Sequence, residues 1–484
     1  MSAPKERIIE TFPSSRLTPT LVEVPSSARY DMRVPARVYA DEELWKQISR
    51  DRTLAQLVNV STMPGITGAA YAMPDAHEGY GFPVGGVAAF RASDGVISPG
   101  GVGYDINCGV RLLAASVQAA ELGHARLEGI VHDLSRAIPS GTGQGSHLRF
   151  SDEDFERVLA EGCRYLAEKG LATPEDLATI EAGGALPQAD PKNVSERAKQ
   201  RGRGQLGSIG SGNHFVEVQK VDKVFDLHAA ETLGLREGQI TILVHTGSRG
   251  LGHQVCTDYV RAMDAVMARH GIHLPDRELA CAPFSSPEGQ KYFGAMCAAA
   301  NFAFSNRQAI TYAAREVFRR ALGNRGNLRL VYDVAHNMAK LEDHGGEPLV
   351  VHRKGATRAF GPSHPETPRA YREVGQPVLI PGSMGTASYV LVGTDEGLGL
   401  SFGSTCHGAG RAMSRTAAKK VQKGHEVRKA LEDKGIVVRC ASAGELAEEA
   451  PHAYKDVDRV VDVVHQAGIA RKVARLVPLG VIKG

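Results

Sequence analysis

The stretch SPGGVGYDINCGVRLL, residues 98–113, decides the expected fold. It closes a longer segment, from Ile66 to Leu113, in which short apolar runs alternate with glycines. Short apolar runs bounded by glycine are typical of strands joined by tight turns. This part of the chain therefore predicts β-structure whose loops hold polar side chains between glycines.

Helical patterns lie on both sides of this segment. Residues 40–60 carry an apolar stripe that begins after Asp41, a suitable N-cap. Further helices are predicted at about 152–203, 254–270, 289–322 and 408–431, the last as one long basic helix. Strands are predicted at Phe215–Val218, Ile240–Val244 and Leu328–Tyr332 and between residues 348 and 405.

This order of elements predicts an α+β fold: one large mixed α/β domain over residues 1–484, with central β-sheets flanked by helices. Residues 152–203 are a candidate helical insertion in that domain. The alternation is too irregular for a TIM barrel. No βαβ unit with a distal acidic residue surrounds the glycine-rich motifs, which argues against a Rossmann fold.

The composition is that of an ordinary globular enzyme, with 42% hydrophobic residues, 23% charged residues and a net charge of +3. A charge so close to neutral means that nucleic acid would be bound by local basic patches. The seven cysteines include no CxxC pair, which favours a reducing compartment. The first residues lead into no apolar signal segment, so we expect a cytoplasmic protein without membrane contact.

Four glycine-flanked segments each place metal-ligand side chains at the end of a predicted strand. The candidate ligands are Asp105, Cys108, His214, His245 and His336. Thiolate, imidazole and carboxylate together suit a borderline transition metal such as zinc, manganese, iron or cobalt. For any single one of these residues packing in the core is the more common role, and only their recurrence favours a site.

A fifth segment, STCHGAGR at residues 404–411, opens the predicted basic helix and so places His407 at a helix N-terminus, where free backbone N–H groups bind phosphate. An unprotonated imidazole can attack phosphorus, which makes His407 a candidate nucleophile. Arg411 could then stabilise charge on the transferred phosphate. An anion contact without covalent chemistry explains His407 equally well at this point.

Together these motifs resemble the RtcB family of RNA ligases, from about Val34 to Gly484. The similarity rests on MPDAHEGYGFP at 73–83, SPGGVGYDINCG at 98–109, GSGNH at 210–214 and HGAGR at 407–411. VGGVAAF at 84–90 and HRKGATR at 352–358 favour the archaeal-type branch.

The resemblance implies a site for two Mn²⁺ ions bridged by Cys108, with His245 and His336 on one ion and Asp105 and His214 on the other. It implies that GTP guanylylates His407 and that Asp75 is needed for activity. The residues implied to hold the nucleotide are Asn213, Glu217, Asn337, Ser383, Ser388, His407, Gly408, Ala409, Gly410, Tyr454 and Lys483, with Glu217 and Lys483 at the base edge.

The implied reaction joins RNA 2′,3′-cyclic phosphate or 3′-phosphate ends to 5′-hydroxyl ends, in tRNA splicing or RNA repair. The implied partners are RNA (cleaved tRNA halves or damaged RNA), GTP and archease as an activating protein. We expect RNA contacts at Arg197, Lys199, Arg201, Arg203, Arg353 and Lys354, within 352–358 more widely, and at Arg415, Lys419 and Lys420. The alternatives are a metal-dependent phosphoesterase without GTP and a non-catalytic RNA-binding module.

Overall fold

Two β-sheets that meet at their ends form the framework of the protein. The computed structural model describes residues 9–141, 148–440 and 442–484, and within these ranges the sheets have seven and eight strands. Two short strand pairs accompany them. The expectation for the first eight residues lies outside the described ranges.

The strands follow one another along the chain as β1 Ser15–Thr18, β2 Leu21–Val24, β3 Ala36–Tyr39, β4 Ile66–His77, β5 Val84–Arg91, β6 Val96–Ile97, β7 Gly109–Gln118, β8 Phe215–Val224, β9 Gln239–Thr246, β10 Ala282–Pro283, β11 Leu328–Ala335, β12 Asn337–His344, β13 Glu347–Lys354, β14 Ala356–Arg358, β15 Pro377–Ile380, β16 Ser388–Gly393, β17 Ser404–Cys406, β18 Val437–Cys440 and β19 Ala470–Lys483.

The α-helices are α1 Glu42–Ile48, α2 Thr53–Val60, α3 His124–Ala137, α4 Asp152–Glu161, α5 Cys163–Glu168, α6 Pro174–Ala178, α7 Glu196–Gly202, α8 Leu227–Leu233, α9 Arg249–Asp264, α10 Pro287–Leu322, α11 Glu396–Ser401, α12 Arg415–Val421, α13 Gly424–Glu432, α14 Ala443–Glu448 and α15 Val457–Gln466.

The first sheet has the order β1-β2-β3-β4-β5-β13-β12, and the second has the order β11-β7-β9-β8-β19-β16-β15 with β18 beside β19. Among the described strands, parallel ladders occur only between β3 and β4 and between β18 and β19. Both sheets are therefore mainly antiparallel, unlike the parallel sheets of a Rossmann fold or a TIM barrel. The prediction of a mixed α/β domain with central sheets is confirmed.

Antiparallel pairing brings several loops of the second sheet to one edge. Gly109, the first residue of β7, pairs with Thr246 near the end of β9 and with Ala335 at the end of β11. Phe215, the first residue of β8, pairs with residues near the ends of β9 and β19. The loops before β7 and β8 and after β9 and β11 therefore lie side by side.

Most predicted elements are found, and the boundaries differ where glycine intervenes. Asp41 accepts a hydrogen bond from the N–H of Leu44 and caps α1 as expected. The region 152–203 is helical but divided into α4 to α7. Helices α4 and α5 pack against α10, α7 packs against α9, and Asp176 of α6 binds Arg315 of α10.

The prediction of one long helix over 408–431 is wrong. Gly410 has a φ of +73°, outside the helical region, and the chain enters α12 only after Ser414, whose side chain caps that helix. A break before Gly424 then separates α12 from α13. His407 therefore lies on a turn after β17 and not at a helix N-terminus.

Helix α10 contributes a buried arginine, Arg307, to the sheet edge where the loops meet. Arg307 donates hydrogen bonds from Nε and Nη2 to the two carboxylate oxygens of Asp333, both at 2.8 Å. Arg111 donates to the same carboxylate at 2.6 Å, and all three side chains are fully buried. Arg307 also binds the carbonyl oxygens of Asn107 and Thr246. This cluster ties α10 to β7, β9 and β11.

Replacing the shared carboxylate should destabilise the protein strongly. Asp333→Asn leaves two buried guanidinium groups without their counter-charge, and such a loss costs about 3–5 kcal/mol of unfolding free energy. Denaturant unfolding measures it, with Glu316→Gln as the control because Glu316 pairs with Arg319 on the exposed face of α10. We expect the control to lose less than about 1 kcal/mol. Equal losses in the two variants would contradict the assigned role.

Candidate active site

A cavity of about 450 Å³ lies where the ends of the two sheets meet. Its lining includes most of the residues singled out in the sequence: Asp105, Cys108, Asn213, His245, His336, Asn337, Lys354, Ser383, His407, Gly408, Ala409, Gly410, Arg411, Arg415, Tyr454 and Lys483. Four others stand directly behind this wall. Asp75 contacts His407, His214 contacts Cys108, and Glu217 and Ser388 meet through Gln219.

The thiol of Cys108 is the centre of a cluster of electron-pair donors. Its Sγ lies 3.3 Å from Nε2 of His214 and 3.3 Å from Nε2 of His245. Nε2 of His245 lies 3.4 Å from Nε2 of His336. The ligand atoms form two compact groups that share Cys108, one with His245 and His336 and the other with Asp105 and His214.

The arrangement of these atoms fits bound cations. Nε2 of His214 and Oδ2 of Asp105 are 2.8 Å apart, yet Oδ2 takes no hydrogen bond from any described residue. Burial lowers the pKa of His245 and His336 well below the ordinary value, and their Nε2 atoms face each other at 3.4 Å. Nitrogen, sulfur and oxygen atoms grouped in this way are the ligand types that bind a transition-metal ion.

Burial also raises the pKa of the Cys108 thiol well above its ordinary value, and the nearby carboxylate of Asp105 adds to this effect. A cation beside the sulfur reverses it, because coordination favours the thiolate. The donor set of one sulfur, three imidazoles and one carboxylate thus suits a transition metal and is a poor site for magnesium.

His407 is held by Asp75 beside this cluster. Oδ2 of Asp75 accepts hydrogen bonds from the backbone N–H groups of His407 and Gly408 at 2.9 and 3.2 Å, and it lies 2.6 Å from Nδ1 of His407. Burial alone would raise the pKa of Asp75, but the charge and hydrogen bonds of His407 lower it. Of the two neutral tautomers, a carboxylate beside Nδ1 favours the one with the proton on Nδ1, which leaves the lone pair on Nε2.

Gly410 allows this close approach. A Cβ atom on Gly410 would lie 2.1 Å from the carbonyl oxygen of Asp75, and the positive φ of Gly410 already disfavours other residues. The ring of His407 meets that of His336 edge-on, with 4.9 Å between ring centroids. The imidazole of His407 is therefore fixed next to the metal-ligand cluster.

Glu449, which no motif in the sequence revealed, organises another part of the wall. It accepts hydrogen bonds from Arg411 at 3.0 Å and from Arg415 at 2.9 Å, and the hydroxyl of Tyr454 donates to it as well. Burial would raise the pKa of Glu449, but the charges of Lys483, Arg415 and Arg411 lower it to about 2. Arg411 thus has a carboxylate partner before any substrate is bound.

Glu217 and Lys483 are buried beside each other on β8 and β19. Burial raises the pKa of Glu217 to about 8, against the opposing effects of Gln219 and Lys483. Oε1 of Glu217 has no hydrogen-bond partner among the described residues. Burial likewise lowers the pKa of Lys483, whose ammonium group lies 5.7 Å from the centroid of Phe215. Such a pair is suited to a ligand that offers both donors and acceptors.

The sequence matches the family model described as tRNA-splicing ligase RtcB over residues 56–484. The chain belongs to the RtcB family. It is 53% identical over 482 residues to the tRNA-splicing ligase RtcB of Thermococcus kodakarensis, covering 98% of this chain and 100% of the relative. It is also 53% identical over 469 residues to that of Archaeoglobus fulgidus, with 96% and 97% covered.

The RNA-splicing ligase RtcB of Mycobacterium tuberculosis is 53% identical over 435 residues, which are 89% of this chain and 100% of the relative. Membership of the RtcB family makes the chain an enzyme of the ligase class. The prediction made from the sequence motifs is therefore confirmed for family and enzyme class.

The basic residues expected to contact RNA have different surroundings in this RtcB family member. Arg197, Lys199 and Arg201 lie on α7 and Arg203 follows it; of these, Lys199 binds Glu156 and Arg203 binds Asp152 and Glu196. Arg353 does not reach the surface: it is buried and forms a two-pronged ion pair with Glu342. The expectation of an RNA contact at Arg353 is therefore corrected.

Lys354 lines the cavity while its ammonium group donates to the carbonyl oxygens of Tyr80 and Phe82. Arg415 and Lys419 pair with acidic residues of the segment 448–449. No helix within the described parts of the chain is both long and apolar enough to cross a membrane.

The buried carboxyl of Glu217 should make stability depend on pH. Its pKa is about 8 when folded against an ordinary value of 4.5, so the folded state binds the proton more tightly and stability falls as pH rises from about 4.5 to 8. We expect Glu217→Gln to remove that fall, which amounts to a few kcal/mol at about 1.4 kcal/mol per pKa unit.

Denaturant unfolding at pH 5 and pH 8, without nucleotide, measures this difference. Glu316→Gln serves as the control because Glu316 lies on the exposed face of α10. If the wild-type protein loses no more unfolding free energy than Glu217→Gln when the pH is raised from 5 to 8, the pKa of Glu217 is not raised by burial.

Proposed function

We propose that this enzyme is a GTP- and Mn²⁺-dependent RNA ligase that joins 2′,3′-cyclic phosphate or 3′-phosphate ends to 5′-hydroxyl ends, in tRNA splicing or RNA repair. The names of its relatives support RNA as the substrate. The observation that carries the proposal is the pair of Asp75 and His407 beside the cysteine–histidine cluster, since it provides a positioned nitrogen nucleophile next to sites for cations.

In this proposal Cys108, His245 and His336 would hold one Mn²⁺ ion, and Cys108, Asp105 and His214 would hold a second, as the two compact groups of donor atoms suggest. The mixed nitrogen, oxygen and sulfur ligands favour manganese over magnesium. When bound, the ions supply positive charge that neutralises the phosphate groups of the substrates.

The first proposed step uses the free Nε2 of His407. It attacks the α-phosphorus of GTP, a P–N bond forms, and the bond from that phosphorus to the oxygen of pyrophosphate breaks. Asp75 holds the ring through Nδ1 and stabilises the positive charge that the ring gains as the bond forms, as the carboxylate of a catalytic triad does for its histidine.

The base of GTP fits the pair of Glu217 and Lys483. Guanine offers two N–H donor groups on one edge, which a carboxylate accepts, and the adjoining O6 and N7 accept from an ammonium group. Other proposed nucleotide contacts are Asn213, Asn337, Ser383, Ser388, Gly408, Ala409, Gly410 and Tyr454. The unsatisfied Oε1 of Glu217 supports this assignment because a buried carboxyl oxygen requires a hydrogen-bond partner.

The later steps transfer the guanylate to RNA. A cyclic end is first hydrolysed to a 3′-phosphate. An oxygen of that phosphate attacks the guanylate phosphorus, so that the P–N bond breaks and His407 is released. The 5′-hydroxyl then attacks the RNA phosphate, forms the phosphodiester and expels GMP. Archease is a proposed activating partner for these turnovers.

A metal-dependent phosphoesterase would use the same cysteine–histidine cluster and no GTP. It has no need for a histidine whose Nδ1 is held by a buried carboxylate, nor for the Glu217–Lys483 pair. The geometry of these four residues therefore favours the ligase over the phosphoesterase.

Labelling with α-³²P GTP and Mn²⁺ tests the covalent step. We expect wild-type protein to carry an acid-labile, alkali-stable label, His407→Ala to carry none, and Asp75→Asn to label roughly 100-fold more slowly or worse because the tautomer is no longer fixed. His228→Ala, which alters an exposed histidine on α8, is the control. An unlabelled wild type that still binds Mn²⁺ would favour the phosphoesterase.

A further inference from the structure

Three aromatic rings, of which Tyr104 lines the cavity, form a group here called the ring platform: Tyr80, Tyr104 and His253. Tyr104 and His253 are stacked, with 4.9 Å between ring centroids and an angle of 29° between planes. Tyr80 meets Tyr104 edge-on at 5.6 Å. Both tyrosines are partly exposed and His253 is exposed. The ring platform is thus an aromatic surface in contact with solvent and with the cavity.

The ring platform is next to the proposed metal centre. Tyr104 lines the cavity and immediately precedes Asp105, whose carboxylate lies 2.8 Å from His214. A base stacked on Tyr104 would therefore belong to a nucleotide whose phosphate lies close to the proposed metal centre. That position suits the last nucleotide of an RNA strand.

The surroundings of the ring platform differ from those of the proposed guanine site. Tyr104 has Tyr80, His253, Cys256 and Glu278 as neighbours. Lys483, by contrast, has Phe215, Glu217 and Glu449 around it. A guanine base at Lys483 would therefore contact other residues than the ring platform, which leaves the platform for the base of a second substrate.

Positive charge accompanies the rings. Arg201, exposed at the end of α7, donates to Gln254, the residue after His253. Partial burial and the charge of Arg201 both lower the pKa of His253, in agreement with the contact between Arg201 and the neighbouring Gln254. Lys354 lines the same cavity. Aromatic faces next to cations are the combination that binds the bases and the phosphates of single-stranded nucleic acid.

We propose that the ring platform stacks the terminal base of a single-stranded RNA end, with Arg201 beside its first internucleotide phosphate. The inference rests on the proposed ligase function and adds the place where an RNA end is positioned. Stacking on a ring requires only a π-face, which every base has, so the site tolerates any terminal base. The same chemistry fits the 3′-phosphate end and the 5′-hydroxyl end.

The test measures binding of short single-stranded RNAs by fluorescence anisotropy, without GTP. Tyr104→Ala should raise the Kd about tenfold or more, whereas Tyr104→Phe, which keeps the ring, should stay within about twofold of wild type. Tyr30→Ala alters a fully exposed tyrosine far along the chain from the motifs and serves as the matched control. His253→Ala is the second variant in case Tyr104→Ala folds poorly.

RNAs that lack only the terminal base distinguish the two ends. Wild-type protein should bind an RNA without its 5′-terminal base, or one without its 3′-terminal base, about tenfold more weakly than the intact strand. Tyr104→Ala should show no further loss for that same RNA. The end at which this coupling appears is the end that the platform holds.

Equal Kd values for wild type and Tyr104→Ala would overturn the proposal. It would also be overturned if the loss of affinity caused by Tyr104→Ala added to the loss caused by base removal at both the 5′ and the 3′ end. Failure of the ligase proposal is recognised separately, because labelling of His407 by GTP does not involve RNA. If GTP labels the enzyme but RNA binding does not depend on the terminal base, the platform proposal fails and the ligase proposal stands. If RNA binding depends on the terminal base but GTP does not label the enzyme, the ligase proposal fails and base stacking on the platform stands.

Discussion

Arg307 on α10 donates hydrogen bonds to Asp333, to Asn107 and to the carbonyl oxygen of Thr246, and the rest of the active site depends on these contacts. The loop before β7 must turn sharply to present Cys108, and Asn107 takes a φ of +51° to do so. A left-handed residue persists where surrounding contacts impose it. Arg307 supplies them from the buried face of α10, and Asp333, which also binds Arg111, provides the negative counter-charge.

Strand direction then determines which side chains meet. Because β7 and β8 start where β9, β11 and β19 end, two loops and three strand ends share one edge. His336 and Cys108 are joined directly, since the N–H of His336 donates to the carbonyl oxygen of Cys108. The first sheet adds Asp75 from β4. The two sheets thus contribute to one cavity from opposite sides.

The sequence allowed the strands, the main helices and the residues of the motifs to be predicted, because glycine-flanked polar residues leave a local signal. Glu449 left none, since its importance arises from Arg411 and Arg415, which the fold brings to it. Burial of Arg353 was missed for the same reason: its partner Glu342 lies on the neighbouring strand. The sequence alone does not tell whether a charged side chain is exposed to water or buried against an ion-pair partner.

The predicted helix over 408–431 failed on backbone conformation. The pattern of small and basic residues favoured a helix, but Gly410 adopts a left-handed φ so that its turn can pass against Asp75. A local pattern cannot report a close approach between segments that are far apart in the chain. The same limit applies to the closeness of Glu217 and Lys483, because the register of β8 against β19 places Lys483 opposite Phe215, two residues from Glu217.

Electron paramagnetic resonance of the protein loaded with two equivalents of Mn²⁺ tests most directly the proposal that two metal ions share Cys108. Two ions bridged by one thiolate are exchange-coupled, so the hyperfine pattern of isolated Mn²⁺ should be replaced by a broad coupled signal. Cys108→Ala should abolish that signal, while Cys281→Ala, at a buried cysteine outside the cluster, should retain it. Signals of two independent Mn²⁺ ions in the wild-type protein would contradict the shared thiolate.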